Sequence, residues 1–246
     1  MQTIIPIYKF PGETPLECIQ RFKTAFPAYK DLPITYAGRL DPMADGLLLL
    51  LAGEAVHEKD NWMKQDKVYL VTILFGVETD SYDVLGHIVK SSNTLINPLE
   101  LSTTLKNYLG PFNQPFPPYS SYKVQGKPLF QWAREGKLDE ITIPSKEREI
   151  YSIDVIKIFE KNSKDLLNEI HKRIEMVTGD FRQEEILKDW NDLLASDRDW
   201  QMVKIRVSCS SGTYMRSLAN KLGKEIGGGA IAYSITRESL GNFSFQ

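Results

Sequence analysis

Residues 36–52 read YAGRLDPMADGLLLLLA, a polar turn that runs directly into an unbroken leucine segment. The Asp-Pro pair and the two glycines are typical of a loop, and the leucines are typical of a buried helix or strand. Taken alone, a turn followed by a core element is the simpler interpretation. A single carboxylate on a loop against an apolar segment is also how a protein presents a nucleophile or base, so Asp41 is a candidate for chemistry.

The composition is that of a folded protein rather than a disordered, collagenous or coiled-coil chain. The chain has 246 residues, a length that suits one large domain or two small ones, and 42% of them are hydrophobic. The longest apolar run, residues 47–52, is far shorter than the roughly 20 residues of a membrane helix, and no secretion signal opens the chain. We therefore expect a cytoplasmic protein with no membrane partner. Cys18 and Cys209 fit neither a disulfide framework nor a metal site, and we expect both to be buried and inert.

Charge is unevenly distributed, although the net formal charge is only −2. Residues 160–200 carry eleven acidic and seven basic side chains, whereas residues 204–240 carry six basic and two acidic ones. A phosphate backbone attracts clustered cations. The second segment is therefore the better candidate for contact with a nucleic acid.

Hydrophobic patterning predicts strands and helices in irregular alternation, which favours an α+β or mixed α/β domain around one sheet. The predicted elements are strands at residues 3–8, 68–75 and 203–209, helices at 103–109 and 212–226, and an extended loop at 114–118 (QPFPP). Another helix is predicted after Thr14, which is a suitable N-cap, with Pro15 in the first position and Glu17 completing a capping box.

The acidic segment at about 160–200 has apolar residues at helical intervals and predicts a helical hairpin. Residues 178–180 (TGD) supply the break between its helices. We expect Asp180 to be the N-cap of the second helix, with Gln183 three residues later.

Short motifs follow one another along almost the whole chain. They are KFPGET at 9–14, GRLDPMADGLLLLLAGEA at 38–55, KVY at 67–69, TDSYD at 79–83, PPYSSYKVQGK at 117–127, AREG at 133–136, CSSGTYMR at 209–216, ITR at 235–237 and GNF at 241–243. In this order they resemble the motifs of the TruB-type pseudouridine synthases. The resemblance implies a pseudouridine synthase fold, with a twisted and mainly antiparallel sheet flanked by helices. It also implies one catalytic domain over residues 1–246, with the acidic hairpin as an insertion.

Carried over residue by residue, the resemblance implies a catalytic site. Asp41 would be the catalytic carboxylate, Tyr69 the aromatic packed against the target base, and Arg216 the ion-pair partner of Asp41. Ile235 would line the base pocket, with Arg237 beside it. The further candidates for binding substrate are Tyr36, Arg39, Lys67, Tyr119 and Lys123.

The chemistry of such an enzyme explains these residue types. Pseudouridine formation breaks the N1–C1′ bond of a uridine, turns the detached uracil and rejoins it through C5. No electrons, water or group donor are consumed, which agrees with a sequence that has no dinucleotide fingerprint, P-loop or metal cluster, so no cofactor is expected. Asp41 would attack the ribose, attack the base or remove a sugar proton, and an adjacent arginine favours the ionised carboxylate that each role requires.

The sequence departs from the family pattern at several positions. Tyr36 stands where the family usually has a histidine, Arg39 where it has a small or hydroxyl residue, and Ser211 where it has a lysine. The chain stops soon after Gly241, so we expect no C-terminal RNA-binding PUA domain. We expect a monomer that acts on the T-arm of tRNA, at uridine 55. The alternatives are a synthase for another RNA such as ribosomal RNA, an inactive RNA-binding protein of the same fold and, more remotely, a scaffold that binds a protein through the hairpin.

Overall fold

A mixed β-sheet lies at the centre of the protein in the computed structural model, which describes residues 2–245. The strands are β1 Ile4–Lys9, β2 Ile34–Ala37, β3 Asp45–Ala52, β4 Lys67–Phe75, β5 Val77–Thr79, β6 Ile88–Ser91, β7 Gly110–Pro115, β8 Lys123–Val124, β9 Lys127–Pro128, β10 Ser145–Asn162, β11 Asp199–Cys209, β12 Ala230–Leu240 and β13 Phe243–Ser244. The large sheet has the order β1-β3-β12-β4-β11-β10-β7, with β2 beside β3 and β13 beside β12. Within residues 2–245 only the β12–β3 pair of this sheet is parallel, so the expected mainly antiparallel sheet is confirmed.

Helices cover both faces of this sheet. They are α1 Pro15–Ala25, α2 Lys59–Met63, α3 Pro98–Lys106, α4 Leu129–Arg134, α5 Ser163–Glu175, α6 Gln183–Leu193 and α7 Met215–Ile226. The start of α1 is as predicted, because Thr14 accepts a hydrogen bond from the backbone N–H of Glu17, whose carboxylate accepts the Thr14 N–H in return. No helix within residues 2–245 is long and apolar enough to cross a membrane.

Two apolar cores lie on opposite faces of the central strands. Alternate residues of a strand point to opposite faces, and β4 sends Val71 and Ile73 to the core beneath α3 and α7, but Leu74 to the core beneath α5 and α6. Trp190 of α6 is fully buried in that second core. The predicted helical hairpin is therefore confirmed, and it covers one face of the sheet.

The leucine run forms β3, a strand buried on both faces. Leu48 and Leu50 pack under α1, whereas Leu47, Leu49 and Leu51 pack in a separate cluster on the other face. Burial on both faces explains why the run is uniformly apolar instead of alternating. Cys18 and Cys209 are likewise buried, as expected, and burial raises the pKa of each thiol to about 12, so both are protonated at neutral pH.

Several of the predicted boundaries were wrong. The helix expected at 212–226 begins at Met215, and the strand expected at 203–209 begins at Asp199. The helix expected at residues 103–109 is Pro98–Lys106, because Asn97 caps its N-terminus by accepting hydrogen bonds from Leu99 and Glu100. The loop expected at 114–118 begins inside β7, where proline is tolerated because β7 lies at the edge of the sheet. Asp180 is not the N-cap of α6, since that position belongs to Arg182, in a left-handed conformation with φ of 62°.

Candidate active site

A cleft of about 770 Å³ opens where the loop before β3 meets β4, β12 and the start of α7. The parallel pairing of β3 with β12 brings these elements together, because it places Gly46 beside Arg237. A Cβ on Gly46 would lie 2.4 Å from the carbonyl oxygen of Arg237, so only glycine permits this approach. The Asp41 loop is thereby held against the strand that carries Ile235 and Arg237.

Asp41 and Arg216 form a two-pronged ion pair in the cleft. Nε of Arg216 donates to one carboxylate oxygen at 2.7 Å and Nη2 donates to the other at 3.0 Å. The Arg216 side chain is 4% exposed, whereas the Asp41 side chain is 32% exposed. The buried guanidinium of Arg216 therefore holds the partly exposed carboxylate of Asp41 in the cleft. Both hydrogen bonds of the pair are charge-assisted.

Arg216 is held by more than Asp41. Its Nη1 donates to the carbonyl of Ser81 at 2.9 Å and its Nη2 to the carbonyl of Tyr119 at 3.2 Å. A second carboxylate, Asp83, lies 3.6 Å from Nε. Burial disfavours the charged guanidinium, but the charges of Asp41 and Asp83 outweigh burial and raise the pKa of Arg216. Arg216 is accordingly a permanent cation with a fixed orientation.

Asp83 stabilises Arg216 from inside the protein. It accepts hydrogen bonds from the Ser81 hydroxyl at 2.6 Å and from the backbone N–H of Leu85 at 2.9 Å. Burial raises the pKa of the Asp83 carboxyl, and the charge of Arg216 opposes that rise. The TDSYD motif contributed to the family resemblance, but no role was predicted for Asp83. The available signal was that Asp83 is a second carboxylate in this motif.

The Asp41 loop rests on two buried cations. Lys9 is fully buried and its Nζ donates to the carbonyls of Ala44 at 2.6 Å and Pro42 at 3.4 Å. Nη1 of Arg237 donates to the carbonyl of Arg39 in the loop at 3.5 Å, and its Nε donates to the carbonyl of Leu47, just beyond the loop in β3, at 2.7 Å. These contacts satisfy backbone groups of a loop that has little regular structure, and they fix where Asp41 stands.

Tyr69 and Ile235 provide the apolar surface of the cleft beside Asp41. Both line the cleft from neighbouring strands, and each is about 8% exposed. Burial raises the pKa of Tyr69 to about 12, so the phenol stays protonated at neutral pH. A buried aromatic ring with a protonated hydroxyl suits stacking against a planar, polar ligand.

Lys67 and Arg237 add positive charge at the floor of this cleft. Lys67 begins β4 and donates to the carbonyl of Met63 at 2.8 Å. Burial, aided by the charge of Arg237, lowers the pKa of Lys67 to about 8. Nη2 of Arg237 is buried and has no hydrogen-bond partner among residues 2–245, which leaves a donor for a bound molecule.

Most of the predicted site residues line the same cleft. They are Tyr36, Arg39, Asp41, Lys67, Tyr69, Tyr119, Arg216, Ile235 and Arg237. Lys123 is exposed on β8 and is not one of the residues that line this cleft in the part of the chain that the structure describes. Sequence reasoning gave no role to Phe181 and Arg182, which the hairpin turn contributes to the wall.

Cations outnumber carboxylates in the lining of the cleft, although the whole chain is slightly acidic. The lining cations are Arg39, Lys67, Arg134, Arg182, Arg216 and Arg237, and the lining carboxylates are Asp41 and Asp83. A cleft lined mainly by one sign of charge concentrates ligands of the opposite sign. The site therefore favours an anionic ligand with an aromatic part.

The sequence and the fold are similar to those of pseudouridine synthases. Residues 28–181 match the family model described as the TruB family pseudouridylate synthase N-terminal domain. A protein of Nitratidesulfovibrio vulgaris, tRNA pseudouridine synthase B, is 32% identical over 96% of this chain and 62% of its own length. Its namesake from Francisella tularensis subsp. tularensis is 32% identical over 99% of this chain and 66% of its own length. The chain belongs to the TruB family of pseudouridylate synthases, and it spans less than two thirds of the length of these two relatives.

Solved structures show the same fold. A chain of a Cbf5-Nop10-Gar1 complex superimposes with a TM-score of 0.62 at 18% identity, covering 99% of this chain and 50% of that one. A chain from an H/ACA RNP bound to a substrate RNA containing 2′-deoxyuridine gives a TM-score of 0.58, also at 18% identity, and covers 99% of this chain and 49% of that one. The predicted family and the predicted fold class are therefore both confirmed.

Proposed function

We propose that this chain isomerises a specific uridine of RNA to pseudouridine, and that the uridine is position 55 in the T-loop of tRNA. The observation that carries the proposal is the Asp41–Arg216 ion pair, set beside Tyr69 and Ile235 in a cleft rich in cations. Membership of the TruB family and relatives named tRNA pseudouridine synthase B support it. The tRNA T-arm is thus the proposed partner.

Asp41 is the proposed catalytic carboxylate. Attack on the ribose, attack on the base and removal of a sugar proton all require the ionised form at a fixed position, which the two hydrogen bonds from Arg216 favour. Because Arg216 is buried and retains its proton, we assign it the role of ion-pair partner and not of acid. The reaction moves a bond from N1 to C5 of the same uracil and needs no other reactant.

The target nucleotide has to leave its stack to reach Asp41. Extrusion of a nucleotide costs a few kcal/mol, and stacking on an aromatic side chain returns about 1–3 kcal/mol per base. Tyr69 is the proposed stacking partner. Ile235 closes the apolar side of the base pocket, and Lys67, Arg237 and Arg39 face the anionic parts of the RNA.

Tyr36, Tyr119 and Lys123 are the remaining proposed RNA contacts. Tyr36 and Tyr119 line the cleft, whereas Lys123 lies on the exposed β8–β9 hairpin, shortly after Tyr119 in sequence. We further propose that residues 1–246 act as one catalytic domain and as a monomer in the cytoplasm, since one chain supplies the whole proposed site.

Chemical mapping of pseudouridine tests the proposal directly. An unmodified tRNA pool and ribosomal RNA are incubated separately with the purified protein and with its Asp41→Asn variant. We expect pseudouridine at one T-loop position with the wild type, and a rate at least about 1,000-fold lower with the variant. RNA affinity should change little, because Asn is isosteric with Asp and Asp83 still balances Arg216.

The other outcomes separate the competing functions. Product only in ribosomal RNA would keep the chemistry and move the substrate, an outcome that the unusual Tyr36 and Arg39 make worth testing. Salt-sensitive RNA binding without product would indicate an inactive RNA-binding protein. A fully active Asp41→Asn variant would contradict the assignment of Asp41.

A further inference from the structure

The helical hairpin formed by α5 and α6 supports a loop of the active site. This loop, residues 80–87, joins β5 to β6 and carries Asp83 and the carbonyl of Ser81 that hold Arg216. Trp190 of α6 donates to the carbonyl of Val84 at 3.0 Å, and Asp189 of α6 lies 2.7 Å from Nδ1 of His87. The hairpin therefore touches the 80–87 loop at its middle and at its end.

The turn of the hairpin makes a third contact, at the start of the 80–87 loop. Arg182 donates through Nη1 to the carboxylate of Asp80 at 2.8 Å, and its guanidinium lies 4.6 Å from the centre of the Tyr119 ring. The Tyr119 hydroxyl donates to the same carboxylate at 2.8 Å. Arg182, Asp80 and Tyr119 thus form a closed cluster, to which the hairpin supplies the cation.

This cluster joins the two backbone segments on which Arg216 depends. Asp80 precedes Ser81, whose carbonyl accepts Nη1 of Arg216, and the carbonyl of Tyr119 accepts Nη2. A shift of either segment would move the guanidinium, and with it the carboxylate of Asp41. Arg182 is therefore linked to Asp41 through contacts that all lie within hydrogen-bonding or cation–π distance.

The conformation of the 80–87 loop requires such support. Tyr82 has φ of 66° and Arg182 itself has φ of 62°, a left-handed region that residues other than glycine occupy at a cost. Strained residues persist only where the surrounding structure determines them. The hairpin also packs closely against the N-terminal turn that precedes α1, because a Cβ on Gly12 would lie 2.1 Å from the carbonyl oxygen of Met176 at the end of α5.

We infer that the α5–α6 hairpin is a positioning element of the active site and that Arg182 is a positioning residue for the Asp41–Arg216 ion pair. This role rests on the proposed function, since it concerns the rate of that reaction. Arg182 acts on the segments that hold Arg216 and needs no contact with the reacting nucleoside.

Single-turnover kinetics on a T-loop RNA test this role with three variants. Arg182→Ala removes the cluster. Arg182→Lys keeps the charge but not the hydrogen bonds that Nη1 and Nη2 donate to the two carboxylate oxygens of Asp80, at 2.8 and 3.4 Å. Lys188→Ala is the control, because it removes an exposed cation from the same hairpin. At saturating enzyme we expect Arg182→Ala to lower the rate constant about tenfold to a hundredfold, as small misplacements of reacting groups do. Because Asp80 already balances the charge of Arg182, the Kd for RNA should stay within about twofold. Arg182→Lys should recover part of the rate, and Lys188→Ala should match the wild type.

Two results would overturn the inference. An unchanged rate constant for Arg182→Ala would show that the cluster does not position the ion pair. A weaker Kd with an unchanged rate constant at saturation would show that Arg182 binds RNA instead. Equal melting temperatures of Arg182→Ala and Lys188→Ala would show that a lower rate constant of Arg182→Ala does not result from a loss of stability.

Amide hydrogen exchange provides a readout that does not depend on activity. The backbone N–H of His87 donates to Asp80 and that of Leu85 donates to Asp83, so both report on the 80–87 loop. We expect faster exchange of this loop in Arg182→Ala and not in Lys188→Ala. A wild type that forms no pseudouridine would refute the proposed function, and the exchange rates would then decide alone whether Arg182 positions the loop, with unchanged exchange counting against it.

Discussion

The two walls of the cleft are held by different kinds of contact. On one wall the Asp41 loop rests on Lys9 and Arg237, which are at most about 1% exposed and donate to backbone carbonyls. On the other wall Arg182 and Asp80 pair at the solvent boundary, with side chains 22% and 27% exposed. Hydrogen bonds from buried cations to backbone carbonyls are costly to break, because breaking them leaves buried groups without partners, whereas exposed ion pairs contribute about 1 kcal/mol or less to stability.

The contacts behind the Asp41 loop are therefore expected to stabilise the fold, whereas the Arg182 cluster is expected to set the geometry of the site. Changes behind the Asp41 loop are expected to reduce stability and activity together, because they leave buried groups without partners. Changes in the Arg182 cluster are expected to reduce the rate with a small effect on stability. Variants of both walls can therefore be ranked by how strongly they affect the free energy of unfolding.

The largest effect on stability is expected from Arg216, where the walls meet. Arg216→Met removes the counter-charge of Asp83, which is buried, and frees Asp41. Removal of one partner of a buried ion pair costs about 3–5 kcal/mol. Urea unfolding should show a loss of this size together with loss of pseudouridine formation. Asp41→Asn is the matched comparison, since it should lose activity with little change in stability, and equal unfolding free energies for the two variants would contradict the assigned role of Asp83.

A smaller effect is expected where the N-terminal turn touches the hairpin. Gly12 has φ of +79°, and an added Cβ would meet the backbone of Met176. Gly126 has the same φ, but a Cβ there meets nothing within 4 Å. Gly126→Ala should therefore cost about 1–2 kcal/mol for the left-handed conformation alone, and Gly12→Ala about 1–3 kcal/mol more for overpacking. Thermal unfolding of both variants gives the difference, and equal melting temperatures would show that the hairpin yields without cost.

The sequence predicted best the features whose causes are local. The capping box of Thr14 and Glu17 and the apolar strand β4 were predicted because neighbouring residues determine them. The ion pair of Asp41 with Arg216 spans 175 positions of the chain and was expected only through the family resemblance. Motif order carried information there that spacing alone did not contain.

The tertiary contacts of the α5–α6 hairpin could not be predicted from the sequence. The helices α5 and α6 were predicted from their hydrophobic periodicity. The contact of Arg182 with Asp80 joins residues 102 positions apart, and Arg182, in a left-handed conformation, occupies the N-cap position that was expected for Asp180. Neither feature has a local signal, because tertiary packing selects the conformation of the turn. The wall formed by Phe181 and Arg182 therefore became visible only in the folded chain.

The smallest expected effect is the contribution of the Lys67 charge to the pH dependence of stability. Its pKa is about 8 in the folded protein and near 10.5 when unfolded, because burial disfavours the cation. The unfolded chain therefore binds more protons between these values, and stability rises with pH through this window as folded Lys67 becomes neutral. Relative to Lys67→Met, the wild type should gain about 1.4 kcal/mol from pH 7 to pH 9. Urea unfolding of both proteins at the two pH values measures this gain, and a constant difference would show that Lys67 keeps its charge in the fold.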